Sequence, residues 1–222
     1  MIPRLLLATA EIPGGTEPLR LFRRGGEYSI MLGANELMNS RLSGSEEVLA
    51  TLCCTPIASR RSARVLIGGL GMGFTLRAAL ALLRQDAKIV VAELVPAVVD
   101  WARGPMAEIF GSSLADPRVE IAVEDVGGLI GASTSAYDSI LLDVDNGPDG
   151  LSRPANDRLY GAAGLGAARA ALTPGGTLGI WSSAPDPAFT RRLTNAGFKV
   201  EETTARARGD RGARHTIWAA VR

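Results

Sequence analysis

The sequence predicts an α/β fold with a mostly parallel sheet and helices on both of its faces. The first observation is a short apolar run at residues 65–67, which is typical of a strand buried on both faces. The second is a glycine-rich turn at residues 68–73, followed by an Ala- and Leu-rich segment that favours a helix. The third is the alternation of strand-like and helix-like segments from residue 63 onward.

This alternation predicts one α/β domain over residues 63–222, preceded by an N-terminal appendage over residues 1–62. Strands are expected near residues 64–68, 88–93, 118–123, 138–143, 177–182, 198–204 and 215–221. Helices are expected near residues 73–84, 95–103, 125–131, 156–172 and 187–196. The last two strands form a hairpin, which places an antiparallel C-terminal strand in an otherwise parallel seven-stranded sheet.

The appendage combines a β-hairpin with a helix. Residues 19–23 and 28–32 are strand-like and flank a pair of glycines, which favours a hairpin. Acids in a first helical turn predict a helix that begins at residues 45–47 and continues to residue 57. The other stretches are a patternless start before about residue 13, a polar irregular segment at 33–43 and a linker at 59–62.

The composition argues against several classes of function. Lys and Arg total 24 against 23 acids, so no basic field favours a nucleic acid. Cys53 and Cys54 are adjacent and lack zinc-site spacing, so we expect no metal and buried thiols in a reducing compartment. His215 is the only histidine, which disfavours a Ser-His-Asp mechanism. The apolar run at residues 5–8 is too short for a signal peptide or a membrane span, and we expect a cytoplasmic protein.

The glycine turn is the first candidate binding element. A strand, a glycine turn and a helix N-terminus expose backbone N–H groups, which suits a nucleotide or nucleoside. Glu93 ends the next strand about 20 residues later, where a ribose diol needs an acceptor. The alternative explanation is a plain βα turn and a surface acid. The candidate cofactor-binding residues here are Gly68, Gly69, Gly71, Met72, Gly73, Glu93 and Leu94.

Two further acids follow strands of the same sheet, at the edge where ligands bind in open α/β folds. Asp125, with its neighbour Val126, could contact an adenine amino group, N-cap the following helix, or do both. Asp143 ends the most apolar strand, which favours a raised pKa and a role as the base for an attacking amine or hydroxyl. It is the candidate catalytic residue and also a candidate cofactor contact. The alternative is that Asp143 and Asp145 only cap a loop.

Together, the glycine turn, these acids and residues 137–143 resemble the Rossmann-like class I S-adenosylmethionine-dependent methyltransferase fold. Within that fold they resemble the spermidine synthase (polyamine aminopropyltransferase) family, and the resemblance covers most of residues 64–222. It implies S-adenosylmethionine or its decarboxylated form as the cofactor. It also implies Glu93 on the ribose, Asp125 near adenine and Asp143 as the acid/base beside the reacting centre.

The chain also departs from the family pattern. Met72 stands where the family has an acid for the aminopropyl ammonium, and Asn146 stands where it has a second Asp for the polyamine. Residues 45–47 replace a Tyr-His-Glu group. A polycation needs several carboxylates, so we predict methyl transfer to a small-molecule amine or hydroxyl. Aminopropyl transfer is the alternative, and a non-catalytic nucleoside-binding protein is a further one.

The remaining candidates lie on the substrate side. They are Asp145, Asn146 and Trp181, the last at the end of the fifth strand. Arginines spread through residues 205–214 predict a mobile solvated loop rather than an RNA contact, since no aromatic residues interleave with them. By resemblance alone, the N-terminal hairpin favours a homodimer.

Overall fold

A four-stranded antiparallel sheet forms the N-terminal part of the structure, a computed structural model that describes residues 2–144, 147–148, 158–208 and 211–222. Its strands are β1 (Leu5–Ala10), β2 (Leu19–Arg24), β3 (Glu27–Leu32) and β4 (Asn35–Asn39), paired in chain order. β2 and β3 form the predicted hairpin, and its inward side chains, including Leu19, Leu21 and Ile30, are buried. The hairpin prediction is therefore confirmed.

A seven-stranded sheet forms the rest. Its strands are β5 (Arg64–Gly68), β6 (Lys88–Ala92), β7 (Val119–Ala122), β8 (Tyr137–Leu142), β9 (Leu172–Ser182), β10 (Lys199–Arg208) and β11 (Arg211–Val221). They lie in the order β10-β11-β9-β8-β5-β6-β7. Strands β5 to β9 pair in parallel, whereas β11 is antiparallel to both β9 and β10. This is the predicted fold class, a Rossmann-like sheet with an antiparallel C-terminal strand.

Helices pack on this sheet and bury its central strands. They are α1 (Gly44–Cys54), α2 (Phe74–Leu82), α3 (Pro96–Arg103), α4 (Ala107–Phe110), α5 (Val126–Gly131), α6 (Ala162–Ala171) and α7 (Pro187–Asn195), with short 3-10 turns at Thr55–Ile57 and Ser113–Ala115. Val65 and Ile67 on β5 belong to one buried apolar cluster, and Leu66 between them belongs to another. Burial on both faces explains why β5 is a continuous apolar run.

Helix α1 packs against α2 and β9. Its residues Cys53 and Cys54 are fully buried and are not disulfide-bonded, as predicted. Burial raises the pKa of both thiols. Gly179 on β9 has no Cβ, and this absence makes room for the Sγ atom of Cys53. The division of the chain at residue 62 stays a prediction.

Three stretches predicted without regular structure form strands instead. Strand β1 lies in the stretch before residue 13, and β4 lies in the segment 33–43. Both contain register irregularities, which disrupt the alternation that marks a strand in sequence. The prediction of a mobile loop at residues 205–214 is wrong. Strand β10 continues to Arg208 and pairs there with the first residues of β11, which begins at Arg211. Strand β9 also begins earlier than predicted, at Leu172.

Within the described ranges, no helix is both long enough and apolar enough to cross a membrane.

A buried carboxylate connects the starts of three strands. Asp138 on β8 is 2% exposed. Its Oδ2 atom accepts a hydrogen bond from the Arg64 backbone N–H at 2.8 Å, and Oδ1 accepts one from Thr173 Oγ1 at 3.0 Å. The Arg60 guanidinium lies 3.3 Å from Oδ1. The Asp138 side chain therefore fixes β5 and β9 against β8.

We expect Asp138→Ala to lower the free energy of unfolding by about 3 kcal/mol, because it leaves the buried Thr173 hydroxyl and the Arg64 backbone N–H without their acceptor. The control is Glu27→Ala, which removes a half-exposed ion pair with Arg41 and should cost less than about 1 kcal/mol. Urea denaturation followed by circular dichroism measures both values. Equal losses in the two variants would contradict the role given to Asp138.

Candidate active site

A cleft lies along the carboxyl ends of the parallel strands, where open α/β sheets bind ligands. Its empty space, counting the part open to solvent, is about 1080 Å³. The main sheet contributes Gly69, Gly71, Ala92, Glu93, Leu94, Val95, Val98, Glu124, Asp125, Val126, Asp143, Val144 and Trp181. The N-terminal part contributes the apolar residues Ile12, Leu19, Ile30, Leu37 and Met38, together with Glu46. The N-terminal sheet therefore forms an apolar wall of the cleft.

Among the residues that the structure describes, the charged side chains that line the cleft are all acidic. Its acidic residues are Glu46, Glu93, Glu124, Asp125 and Asp143. No Lys, Arg or His is present among the described residues that line it. Such a cleft attracts a cationic ligand and disfavours an anionic one.

The glycine turn after β5 lies against the end of β8. Gly69 has a φ of +91°, and a Cβ atom there would overlap the backbone oxygen of Asp143. Gly71, with a φ of +49°, lies against the Met38 thioether. The Gly69 N–H donates to the Ala92 carbonyl at 2.9 Å, so the turn is also fixed to β6. Glycine is therefore required at this turn, where the ends of β5, β6 and β8 meet.

We expect Gly69→Ala to lower the free energy of unfolding by more than about 2 kcal/mol, through backbone strain and the overlap with Asp143. The matched control is Gly128→Ala in helix α5, where a Cβ meets nothing within 4 Å. That change should be neutral or slightly stabilising. Denaturant unfolding of the two variants measures the contrast, and a Gly69→Ala variant as stable as wild type would contradict it.

Glu93 is held by backbone donors at the end of β6. Its Oε2 atom accepts from the Leu70 N–H at 3.0 Å, and Oε1 accepts from the Val95 N–H at 2.9 Å. The side chain is 8% exposed, and this burial raises the pKa of Glu93 despite the hydrogen bonds. A carboxylate has further lone pairs for ribose hydroxyls. The position of Glu93 fits the ribose-binding role predicted for it.

Asp125 has the geometry of a helix cap at the mouth of the cleft. Its Oδ1 atom accepts from the Gly127 N–H at 2.8 Å and so caps helix α5. The same residue lines the cleft, as do Val126 and Leu94. The predicted cap is confirmed, and the predicted adenine contact stays a prediction.

Asp143 and Glu46 are neighbouring carboxyl groups whose negative charges oppose each other. Thr75 Oγ1, in the first turn of α2, donates to Asp143 Oδ2 at 2.7 Å. Burial and the nearby charge of Glu46 raise the pKa of Asp143 to about 7, although the Thr75 hydroxyl acts in the opposite direction. Burial is also the main cause that raises the pKa of Glu46. A carboxyl group that titrates near neutral pH suits proton transfer at the reacting centre.

The raised pKa of Asp143 predicts how stability depends on pH. The folded chain binds this proton more tightly than the unfolded chain, whose Asp titrates near pH 4, so the stabilisation is lost as the pH rises from about 4 to about 7. We expect unfolding free energies at about pH 5 and about pH 8 to differ less in Asp143→Asn than in wild type, by on the order of 2 kcal/mol. Identical pH dependences in the two proteins would contradict the assignment.

Several predicted site residues do not line the cleft. Gly68 lies within β5, and its missing side chain makes room for Val126 and Leu142. Gly73 begins α2 and packs against Phe110. The Met72 side chain is fully buried in the core, so this residue reaches the site only through its backbone, whose N–H points to Met38 Sδ at 3.1 Å. The assignment of Met72 as a cofactor-binding residue stays a prediction. Asp145 and Asn146 lie outside the described residues.

The sequence analysis missed two parts of the site. Glu46 was assigned only to a helix start, and His215 was disfavoured as a catalytic residue, yet Glu46 lines the cleft and His215 is linked to it through Ser45. The apolar wall from the N-terminal sheet was also missed, because its residues come from short strands far away in sequence. Acids in the first turn of α1 were the signal for Glu46, but no local pattern shows that this turn faces the cleft.

Comparison with known proteins supports the sequence resemblance. A 151-residue stretch is 35% identical to the polyamine aminopropyltransferase of Mycobacterium tuberculosis, covering 63% of this chain and 27% of that protein. The spermidine synthase of Thermotoga maritima superimposes with a TM-score of 0.77 over 97% of this chain and 72% of its own, at 17% identity. A spermidine synthase in complex with the transition state analogue AdoDATO gives 0.76 with the same coverage.

The resemblance to the spermidine synthase family is confirmed. No family model matches the chain. The structural likeness establishes the spermidine synthase fold, and the sequence relatives carry the aminopropyltransferase name. These findings favour the aminopropyltransferase alternative over the methyltransferase prediction. The chain spans 27% of the length of the first curated relatives.

Proposed function

We propose that the cleft binds a sulfonium donor of the S-adenosylmethionine class and that the chain is a spermidine synthase-like aminopropyltransferase. The observation that carries this proposal is the acid-lined cleft, in which the described lining residues include no basic side chain. A sulfonium and an amine are both cationic, so both ligands gain from these carboxylates.

The residues present fit such a donor. The exposed backbone at Gly69 and Gly71 admits a ligand close to the turn, and both residues line the cleft. In this proposal, Glu93 offers carboxylate oxygens to the ribose, and Asp125, which lines the same cleft, accepts from the adenine amino group. Val95 and Val98 line the cleft as well and supply apolar surface for the base.

Charge also discriminates between the two forms of the donor. S-adenosylmethionine carries a carboxylate, whereas its decarboxylated form ends in an ammonium group. A ligand carboxylate placed beside Glu46 and Asp143 would be repelled and would find no basic partner among the described lining residues. The decarboxylated donor, and with it aminopropyl transfer, is therefore favoured.

The proposed chemistry needs little more than positioning and one base. When bound, the donor supplies an electrophilic carbon and a neutral thioether leaving group, which keeps the electron pair of the broken C–S bond. Asp143 accepts the proton that the amine loses as its nitrogen forms the new C–N bond. Thr75 holds the Asp143 carboxyl group in place through Oδ2. The apolar wall limits the access of water.

Methyl transfer is the second candidate, and one observation favours it. Met72 stands where the family has an acid for the aminopropyl ammonium, and its side chain is buried in the core. The ammonium group of an aminopropyl donor would therefore need a carboxylate partner from another residue of the cleft. The small-molecule acceptor and the homodimer remain predictions.

Incubation with an alkyldiamine and each donor separates the candidates. We expect decarboxylated S-adenosylmethionine to yield methylthioadenosine and an aminopropylated amine, detected by mass spectrometry. Asp143→Asn should lower kcat by about 10²- to 10⁴-fold while leaving methylthioadenosine affinity nearly unchanged. Asp100→Asn, at an exposed position on α3, is the matched control and should retain activity.

Turnover of S-adenosylmethionine to S-adenosylhomocysteine, with none of the decarboxylated donor, would establish methyl transfer instead. Binding of methylthioadenosine without turnover of either donor would point to a non-catalytic nucleoside-binding protein.

A further inference from the structure

A hydrogen-bonded chain of three side chains connects β11 to the cleft. His215 Nδ1 lies 2.8 Å from Ser45 Oγ, and Ser45 Oγ donates to Glu46 Oε2 at 2.6 Å. Ser45 is fully buried and Glu46 is 8% exposed. The His215 ring packs on Trp181, with 4.7 Å between ring centroids. Glu46 and Trp181 line the cleft, so these hydrogen-bonded side chains support part of its wall.

With Glu46 ionised, the number of available hydrogens sets the direction of these hydrogen bonds. Ser45 has one hydroxyl hydrogen, and the Glu46 carboxylate takes it. The contact between His215 and Ser45 then requires the ring to supply a hydrogen from Nδ1. Burial lowers the pKa of His215, which favours the neutral ring. Neutral His215, protonated at Nδ1, therefore holds the Ser45 hydroxyl pointed at Glu46.

Strand direction explains why His215 reaches this place. β11 runs antiparallel to β9, with Thr216 opposite Ser182 and Ile217 opposite Trp181. The start of β11 therefore meets the carboxyl end of β9 at the edge where the cleft lies. Glu93 and Asp125 follow β6 and β7 on the other side of β5. Glu46 thus lies in the half of the cleft away from the proposed nucleoside contacts.

Glu46 has a local hydroxyl donor but no cationic partner in the described lining of the cleft. Its neighbour Asp143 is another carboxylate, and the charges of the two groups oppose each other. A buried carboxylate of this kind is stabilised by a cation. The amine chemistry of the proposed function offers such a cation as an alkylammonium group.

We propose that Glu46 binds an alkylammonium group of the substrates and that His215, acting through Ser45, is the residue that positions it. This inference rests on the proposed function, which supplies the charged group. Glu46 is then a binding residue, and His215 is a positioning residue that does not itself touch the substrate. The ammonium can belong to the donor or to the acceptor amine. Two pairs of ligands, each with and without an ammonium group, distinguish these possibilities.

The donor arm compares decarboxylated S-adenosylmethionine with methylthioadenosine, which lacks the aminopropyl ammonium, by calorimetry. The acceptor arm compares butylamine with butanol, each with and without methylthioadenosine. We expect Glu46→Gln to reduce the preference for the ammonium ligand by about ten- to hundredfold in one arm, because a charged hydrogen bond becomes neutral. Methylthioadenosine affinity should not change. Glu47→Gln, the next residue and exposed, is the matched control and should keep both preferences.

The positioning role has its own readouts. His215→Ala should weaken the same preference by about three- to tenfold, and His215→Asn should restore it, because the Asn amide can donate from near the place of Nδ1. Ser45→Ala should weaken the preference for the ammonium ligand at least as much as His215→Ala does. The double variant should lose no more than Ser45→Ala alone, since both residues act through one path.

A loss in either arm for Glu46→Gln supports the proposal and identifies which ammonium is bound. Unchanged preferences in both arms, with the variant folded by circular dichroism, would overturn it. Failure of His215→Asn to rescue, or additive losses in the double variant, would overturn the positioning role. Wild type that does not bind methylthioadenosine would contradict the proposed function alone, because butylamine and butanol still test Glu46 without a nucleoside.

Discussion

Burial of several carboxylates at one edge of the main sheet is the constraint on which the site depends. Each carboxylate has a different local supply of hydrogen-bond donors. The buried Glu93 accepts from backbone N–H groups that include those of Leu70 and Val95, whereas the exposed Asp125 accepts from the Gly127 N–H of the helix that it caps. Asp143 accepts from the Thr75 hydroxyl, and Glu46 accepts from the Ser45 hydroxyl and from its own backbone N–H. Local donors are therefore plentiful at Glu93 and scarcer at the Asp143–Glu46 pair, which has the most to gain from a cationic ligand.

Strand direction converts this constraint into a binding cleft. Parallel strands bring the residues after β5, β6, β7 and β8 to one edge, whereas the antiparallel β11 brings its first residues to that edge. Close approach of Gly69 to the Asp143 carbonyl sets the spacing between the glycine turn and the acid. The arrangement needs no unusual backbone beyond the positive φ angles of its glycines, and the described bonds contain no cis peptide.

The main sheet could be predicted from sequence because each strand carries its own signal. The run at residues 65–67, followed by glycines, predicts a buried strand and a ligand-binding turn without knowledge of any other element. Glu46 and His215 could not be paired in this way, since 169 positions separate them and their link through Ser45 depends on the direction of β11. Ala205 and Ala207 are buried and flank Arg206, so the predicted loop did contain a period of two, which the arginines obscured. The departure of Met72 from the family pattern is visible in the sequence. The burial of its side chain in the core is not visible there.

The apolar wall and the acids of the cleft come from different parts of the fold. Leu37 and Met38 come from a short strand of the N-terminal sheet, whereas the acids come from the main sheet and helix α1. Substitutions on that strand can therefore reshape the space above the glycine turn without altering the strand ends that hold the acids. The shape of the cleft can therefore change while the acids that line it stay in place.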